Sequence, residues 1–405
     1  MIRRFLQIRF IAYALIALAL TLCAVEIGLQ AQANRYGCPF STHEERLTVA
    51  SWHTHHQLRP NSVTVVHHPD DDASVKIRTN SFGLRGPEPI VPKPADVYRI
   101  ICLGDDTVFA GEMDEPDTMT QRLKGFLEAK TQRNIEVINA GVPGFCPLLS
   151  SIQLRTSLTA FDPDLIILNF DMTDIADDHQ YRRSVQTGDN GEPIACTHST
   201  LLTNQSECTE LLEQFHLTKL AKKYVGNVMT QRSAVTTKDI DSPKSAWAWT
   251  SDDSPDWSIY IRHALEPIVQ VQQYANSMQT DFIFVCSPAP WQISATAGSD
   301  KLRKLSGIPV NTRYASSRPF QLLSAVAEKY HMRFLNPTNA FLQIGDRDRL
   351  FLRSNRNFSK YGHALYAHQL AEFIVNQIPG LVPDSSSGTP IFRQATNRRE
   401  VPRPR

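Results

Sequence analysis

Val97-Tyr-Arg-Ile-Ile-Cys-Leu103, followed directly by Gly104 and Asp105, is the stretch of this 405-residue chain that decides its fold. An apolar run that stops at a glycine and an acid is typical of a strand buried on both faces of a parallel sheet. Further strand-like and helix-like stretches alternate after it: strands at 135–138, 164–170, 281–286 and 333–335, and helices at 118–130, 148–160, 259–278 and 360–378. This alternation predicts an α/β domain with a mainly parallel sheet covered on both faces.

Composition divides the chain into four regions. Residues 1–34 form a signal-anchor or transmembrane segment, 35–94 are a polar lead-in, and 95–380 hold the main domain. An insertion at about 177–257 is rich in Ser, Thr, Asp and Asn, and we interpret it as a cover, or lid, over one edge of the sheet. Residues 381–405 carry five arginines and are predicted to be a disordered basic tail.

The lead-in and the insertion show no regular pattern. A helix-like piece at 207–225 is the exception within the insertion, and residues 79–86 are typical of a turn that enters the main domain. Five histidines of the lead-in lack the regular spacing of metal ligands, so we predict a solvated loop; they are His53, His55, His56, His67 and His68.

The N-terminus carries an export or anchoring signal. Arg3, Arg4 and Arg9 precede an apolar run at 10–29, which is interrupted only by Glu26. About 20 apolar residues are enough to cross a bilayer as a helix. A single-pass signal-anchor is the preferred interpretation, with a cleaved signal peptide or a core helix as alternatives. The arginines would stay inside, which places the globular domain on the extracytoplasmic side.

Charge and cysteine usage exclude several classes of protein. With 42 Lys+Arg against 41 Asp+Glu, the net charge of +1 excludes a polybasic surface over the whole chain, and we expect no nucleic-acid partner. The seven cysteines contain no C-x-x-C pair, which argues against a zinc ribbon, and we expect no metal and no cofactor. Cys102 and Cys286 fit strand cores, whereas Cys196 and Cys208 are spaced for a disulfide outside the cytoplasm.

Four segments stand where the predicted strands end or where the last helix begins. They are Gly104-Asp105-Asp106-Thr107, Asn139-Ala-Gly141-Val-Pro-Gly144, Asp171-Met-Thr173-Asp174 and Asn355-Arg-Asn357-Phe-Ser-Lys-Tyr-Gly-His363. In open α/β sheets the chemistry gathers beyond the carboxyl ends of the strands. We therefore expect these four segments to converge on one cleft.

In this order and spacing the segments resemble the signature blocks of the SGNH (GDSL) hydrolase family, in its membrane-anchored bacterial type. The resemblance extends over about 99–378 and is accompanied by the lead-in Asn80-Ser-Phe-Gly-Leu-Arg85. It implies a three-layer α/β/α, flavodoxin-like fold with a parallel central sheet, preceded here by the transmembrane helix. It also implies ester hydrolysis by a serine, a histidine and an acid beside an oxyanion hole.

The blocks depart from that pattern at nearly every catalytic position. Asp106 stands in the nucleophile position, and Thr173 replaces the asparagine that donates to the oxyanion hole. Asn355 and Asn357 stand in the acid and base positions, so only Gly141 matches its oxyanion role. An amide takes up no proton, and a carboxylate beside the oxyanion donors repels the developing negative charge. Loss of a nucleophile or base costs about 10⁴–10⁶ in turnover.

Other residues near the blocks offer weaker catalytic or structural roles. Thr107, His179 and His363 are the candidates for a displaced nucleophile or base. Asp105 and Asp174 match positions that accept backbone N–H bonds and hold their loops together.

Two functional classes follow. The first is a pseudo-esterase that binds an acylated or glycan-like ligand through Asp105, Asp106, Thr173 and Asn357, because carboxylates and amides pair well with sugar hydroxyls. The alternative is an active ester hydrolase or O-acyltransferase that acts on envelope polysaccharide or acyl esters with relocated catalytic groups. A histidine within reach of Thr107 would favour the alternative. A cation held by Asp105, Asp106 and the two asparagines is a third hypothesis.

Overall fold

A computed structural model describes residues 2–36, 47–71, 73–202, 217–218 and 246–382 of the chain. In this part the strands are β1 Thr48–Ala50, β2 His56–Leu58, β3 Val63–His67, β4 Ser74–Arg78, β5 Val97–Leu103, β6 Asn134–Asn139, β7 Leu165–Phe170, β8 Val185–Thr187, β9 Pro193–Cys196, β10 Asp281–Cys286 and β11 Arg333–Leu335. The α-helices are α1 Ile2–Tyr36, α2 Asp106–Phe109, α3 Met119–Thr131, α4 Pro147–Gln153, α5 Asp174–Arg182, α6 Ser199–Leu202, α7 Ser258–Ser277, α8 Pro290–Ile293, α9 Asp300–Ser306, α10 Arg318–Lys329, α11 Thr338–Gln343 and α12 Lys360–Gln377.

Five strands form the central sheet, in the order β11-β10-β7-β5-β6. Every neighbouring pair of strands is parallel. In the register, Ile100 of β5 lies opposite Leu165 of β7, and Ile101 of β5 lies opposite Ile138 of β6. The five predicted strands are confirmed, and their ends differ from the predicted ones by at most one residue. The sheet is therefore parallel throughout, and the carboxyl ends of its five strands lie at the same edge.

Helices cover both faces of this sheet and make the fold three-layered. Along β5, Ile100 and Cys102 face a core shared with α3 and α12, whereas Ile101 and Leu103 face a core shared with α7. Successive residues of a strand point to opposite faces, so the apolar run is buried on both sides. The fold is the predicted α/β/α arrangement, and the four predicted helices are present with α3, α4, α7 and α12 as their main bodies.

Helix α1 precedes the domain. Within it, Tyr13–Ala31 is long and apolar enough to cross a membrane by length and composition. Nearly all its described side chains are exposed, including Leu18 and Leu20, which is not what a core helix shows. Glu26 accepts hydrogen bonds from Gln30 and from the N–H of Leu217.

The prediction of an irregular lead-in is wrong. Strands β3 and β4 form an antiparallel hairpin and β1 pairs with β2 in the same way. Side chains of β3 alternate between exposed and buried, and Val66, Val75 and Ile77 pack on a core that includes Phe109. These strands have three to five residues, and β3 exposes Val63 and Val65 while it buries Thr64. Their alternation is therefore too short and too mixed to stand out in the sequence.

The predicted insertion is more structured at both ends than its composition indicates. Helix α5 crosses its predicted start, and β8 and β9 form a hairpin just beyond. At the other end Trp249 is buried, and its Nε1 donates to the Met172 carbonyl at 2.8 Å. Most of the predicted piece at 207–225, Cys208 and nearly all of the predicted tail lie outside the described residues. Cys196 is a free, buried thiol.

Candidate ligand-binding cleft

The four sequence segments converge at the carboxyl edge of the sheet. Asp105 follows β5 and caps α2 by accepting the Thr107 N–H at 3.3 Å, as predicted for its structural role. Asp174 begins α5 after β7 and accepts the Asp171 N–H at 2.9 Å, also as predicted. Gly141 follows β6, and a Cβ there would lie 2.4 Å from the Phe109 nitrogen. The glycine is needed because its loop packs directly against the backbone of α2.

The nucleophile position of the resemblance is held in an ion pair. Asp106 Oδ2 accepts from Arg356 Nη2 at 2.9 Å. Arg356 stands between Asn355 and Asn357 in the last block, and its role was not predicted from the sequence. The side chains of Asp106 and Arg356 remain 20% and 37% exposed, so the pair lines a cleft that solvent reaches.

Carboxylates surround this arginine. Burial by itself lowers the pKa of Arg356, but Asp106, Asp171, Asp105 and Asp177 outweigh it and raise the pKa above its ordinary value. Burial, followed by repulsion from Asp171 and Asp106, raises the pKa of Asp105 well above the ordinary range. Burial, followed by repulsion from Asp105 and Asp171, does the same for the pKa of Asp174. Burial likewise raises the pKa of Asp177 to about 7. At neutral pH the cleft therefore mixes protonated acids with one permanent cation.

The acid and base positions face a carboxylate that sequence reasoning missed. Asn355 Nδ2 donates to Glu112 Oε1 at 2.6 Å, and Asn357 Nδ2 donates to Oε1 and Oε2 at 3.0 and 3.1 Å. The Asn357 N–H also donates to Asn355 Oδ1 at 2.9 Å. Both amides therefore act as donors that orient Glu112, and neither has the lone pair of a neutral imidazole to offer.

The lead-in arginine positions the loop that carries Glu112. Arg85 is 4% exposed and donates to the backbone carbonyls of Phe109, Ala110 and Met113. Burial lowers the pKa of Arg85 to about 10, and Glu112 partly opposes that shift. The turn 79–86 is confirmed, since Asn80 Oδ1 accepts the N–H groups of the turn.

Both oxyanion positions donate to oxygen atoms of the protein itself. The Gly141 N–H donates to Asn139 Oδ1 at 3.1 Å. Thr173 donates to Asp171 Oδ1 through its N–H at 2.9 Å and through its hydroxyl at 3.0 Å. A substrate oxyanion would have to displace these acceptors before it received a hydrogen bond from either residue.

The hydroxyl of Thr107 lies in a buried polar network. It is 3.5 Å from Asp171 Oδ2 and 3.4 Å from the hydroxyl of Ser287, which follows β10. Asn169 Nδ2 donates to Ser287 at 3.4 Å, and Tyr366 donates to Asn169 from behind. Ser287 was missed, although its place after a strand was the available signal. The described partners of Thr107 and Ser287 include no histidine.

Neither histidine that was considered as a relocated base lies in this network. His179 Nε2 is 2.9 Å from Arg183 Nη2, and its ring packs on Tyr260 of α7. His363 is 1% exposed inside the core beside Phe358. Burial, with Arg85 as the smaller cause, lowers the pKa of His363 to about 3, so the ring stays neutral.

No group of three or more His, Cys, Asp or Glu residues in the described part of the chain is arranged to hold a metal ion. In the cleft the guanidinium of Arg356 already supplies positive charge to the carboxylates, which leaves the hypothesis of a bound cation without support. Three histidines outside the cleft lie close together. The ring of His55 packs on that of His198, and His55 Nδ1 is 3.1 Å from His56 Nδ1.

No family model and no curated protein matches the chain. Similar solved structures include the lipase/acylhydrolase from Enterococcus faecalis, with 13% identity, 69% of this chain and 95% of that chain covered, and a TM-score of 0.37. The acetylxylan esterase Axe2 from Geobacillus stearothermophilus has 10% identity, coverage of 68% and 94%, and a TM-score of 0.36. A lipolytic G-D-S-L family protein from Desulfitobacterium hafniense DCB-2 has 11% identity, coverage of 68% and 99%, and a TM-score of 0.34. Likeness at this level concerns the fold and says nothing about activity.

Proposed function

Starting from the SGNH/GDSL-hydrolase-like fold of this chain, we propose that it is a membrane-tethered pseudo-esterase that binds an acylated or glycan-like ligand without efficient hydrolysis. The ion pair between Asp106 and Arg356 is the observation that carries the proposal. It ties the nucleophile position to a cation from the last block. A serine and a histidine would have to stand there for acyl transfer.

The electrostatics of the cleft argue against ester hydrolysis. An oxyanion forms next to the attacked carbonyl, and a charged Asp106 beside Gly141 would raise the energy of that transition state. Asn357 offers only an amide, which takes no proton from a nucleophile. The expected loss relative to an intact triad is about 10⁴–10⁶ in turnover.

The same groups suit recognition of a hydroxyl-rich ligand. Carboxylates accept hydrogen bonds from sugar hydroxyls, and Arg356 can donate to hydroxyl or acyl oxygens. The Nε of Arg356 is buried without a hydrogen-bond partner in the described residues. A ligand oxygen would be a suitable acceptor for that N–H, because most buried donors in native proteins are paired.

Attachment to a membrane completes the proposal. Tyr13–Ala31 would span the bilayer, and the arginines before it would stay in the cytoplasm. The globular domain would then lie on the extracytoplasmic side, where an envelope glycan or its acyl esters would be within reach.

A second function is favoured by one contact. The hydroxyls of Thr107 and Ser287 lie 3.4 Å apart, and that of Thr107 is 3.5 Å from Asp171 Oδ2. A hydroxyl beside a carboxylate is the arrangement that a relocated nucleophile and base would use. The alternative is therefore an ester hydrolase or O-acyltransferase that acts on envelope polysaccharide or acyl esters.

Hydrolysis of p-nitrophenyl acetate by the full-length protein in detergent micelles separates the two functions. We expect the wild-type rate to equal the buffer rate, and Asp106→Ser/Asn357→His to exceed it. Asp106→Asn is the matched control, because it breaks the ion pair without supplying a nucleophile. Wild-type turnover that is lost in both Thr107→Val and Ser287→Ala would refute the pseudo-esterase and establish the alternative.

Binding is tested by tryptophan fluorescence, because Trp249 is hydrogen-bonded to the Met172 carbonyl beside the cleft. Xylotriose and acetylated xylotriose serve as probes of the two ligand chemistries. We expect saturable quenching and an affinity about tenfold lower in Arg356→Gln, since a hydrogen bond from a charged group contributes about 1.5–3 kcal/mol. No saturation with either probe contradicts the proposed glycan-like ligand.

A further inference from the structure

A cavity of about 330 Å³ lies at the carboxyl ends of β10 and β11. Gln292 of α8, which follows β10, lines one side, and Thr338 at the start of α11, which follows β11, lines another. The loop that contains Arg313 and Tyr314 and the first turns of α10 complete the walls. The cavity shares no residue with the cleft around Arg356, and its volume lies within the range of small-molecule sites.

Two buried side chains that line this cavity each have one polar atom without a hydrogen-bond partner among the described residues. Gln292 is 3% exposed, and its Oε1 accepts the Ala289 N–H at 2.8 Å, which orients the amide so that Nε2 is the remaining donor. Among the described residues that Nε2 has no hydrogen-bond partner, and neither has the hydroxyl of Thr338, which is 7% exposed. About nine in ten buried polar groups in native proteins are paired, with protein or ordered water, so these two groups are available to pair with a polar ligand.

One charged side chain, that of Arg313, lines the cavity, and the lining residues in the described part of the chain include no aspartate or glutamate. Helix α10 begins there; the Ser317 side chain does not cap it, but Ser316 Oγ accepts the Arg318 N–H at 3.3 Å and Pro319 has no N–H. Ser317, Phe320 and Ser324 line the wall on one face of its first turns. A helix N-terminus carries about half a positive charge and attracts anions. Asp252 places a negative charge beside the same loop: it accepts the Ser316 N–H at 2.5 Å, and after burial its charge raises the pKa of Tyr314.

The remaining lining residues define the rest of the ligand. Tyr314 and Phe320 offer apolar ring surface, whereas hydroxyl and amide side chains make up most of the wall: Ser316, Ser317, Gln321, Ser324, Asn336 and Asn339. Alternating donors and acceptors of this kind match a ring that carries several hydroxyls. Arg313 can form a bidentate pair with a carboxylate, so a ligand with one carboxylate matches the single arginine of the lining.

We propose that this cavity binds a sugar acid, that is, a pyranose with one carboxylate. The carboxylate lies toward Arg313 and the start of α10, and the ring hydroxyls pair with Gln292 and Thr338. The site is independent of the function proposed above, because none of its residues belongs to that cleft.

Isothermal titration calorimetry of the full-length protein in a detergent without sugar groups tests the site. D-galacturonate is the probe, D-galactose lacks its charge, and acetate and inorganic phosphate lack its ring. We expect saturable binding of galacturonate that is at least tenfold tighter than that of the other three. Equal binding of galactose, tighter binding of phosphate, or no binding of galacturonate would overturn the proposal.

Two variants assign that binding to this cavity. Thr338→Val keeps the side-chain shape and removes the hydroxyl, and Arg313→Gln removes the exposed charge. We expect each to weaken galacturonate binding at least fivefold, while the melting temperature of the free Thr338→Val protein does not fall. Asp106→Asn in the other cleft is the control and leaves the affinity unchanged. Unaltered affinity in both cavity variants, or a loss in Asp106→Asn alone, would refute the assignment.

Discussion

At the scale of single residues, the pKa of Asp177 reflects the closely spaced carboxylates of the cleft. Its ordinary pKa is 3.8, and burial raises the pKa to about 7 in the folded chain. Arg356 and the hydroxyl of Thr173 oppose this shift and lower the pKa, whereas repulsion from Asp171 adds to it. The folded state therefore holds a proton here at a pH at which the unfolded chain has released it.

The free energy of unfolding should follow that proton. Because the folded pKa is raised, the stabilisation is complete below the unfolded pKa of 3.8 and is lost as the pH rises through about 7. Asp177→Asn does not titrate, so we expect the stability of the wild type relative to this variant to fall by about 2 kcal/mol from pH 5 to pH 8. Urea unfolding at the two pH values measures the difference. A pH-independent difference would contradict the raised pKa.

Residue-scale prediction from the sequence succeeded where a role is local. Asp105 and Asp174 cap the turns in which they stand, and such contacts depend on neighbours two or three positions away. Arg356 and Glu112 were missed because their partners are distant in the chain: 250 positions separate Arg356 from Asp106. No spacing rule connects residues that only the folded sheet brings together.

At the scale of elements, the close packing of α2 against the loop after β6 fixes the cleft. The loop approaches the helix backbone at Gly141, where a Cβ would lie 2.4 Å from one backbone atom and 2.8 Å from another. Backbone cannot rotate away as a side chain can. The two elements would have to separate, and the Asp106 side chain moves with α2.

Gly141→Ala is therefore expected to destabilise the fold by about 3 kcal/mol, at the upper end of overpacking effects. Gly125→Ala is the matched control, because nothing lies within 4 Å of its added Cβ in the middle of α3. Replacing a helical glycine by alanine should stabilise by about 0.5–1 kcal/mol. Thermal unfolding of both variants checks the pair. Equal melting temperatures would disprove the close approach.

The strands of the central sheet were predictable, including the three-residue β11, whereas the short strands of the hairpins were not. β5, β7 and β10 are continuous apolar runs that both faces of the sheet bury. By contrast, the hairpins of the lead-in pack only one face on the core, and each strand has at most five residues. A period of two cannot be distinguished from chance over so few positions.

At the scale of the whole molecule, the proposed membrane attachment through α1 can be tested directly. We expect the full-length chain to pellet with membranes, to resist alkaline carbonate and to keep its uncleaved mass. Leu20→Arg/Leu22→Arg places two charges near the middle of Tyr13–Ala31, at about 2.5–3.5 kcal/mol each. This variant should lose membrane attachment, whereas Gln30→Arg at the end of the span should keep it. A wild-type protein shortened by about 30 residues would indicate a cleaved signal peptide instead.

The order of strands in the central sheet has a consequence for polymers. The cleft opens beyond β5 and β7, and the cavity lies beyond β10 and β11, so both stand on the same edge of the sheet. Strands are about 4.8 Å apart, which separates β7 from β11 by roughly 10 Å. A linear chain of sugars long enough to reach both would bind its second unit at a high effective concentration. We expect the affinity for oligosaccharides to rise abruptly at that chain length, so that binding at this edge of the sheet selects oligosaccharides by their length.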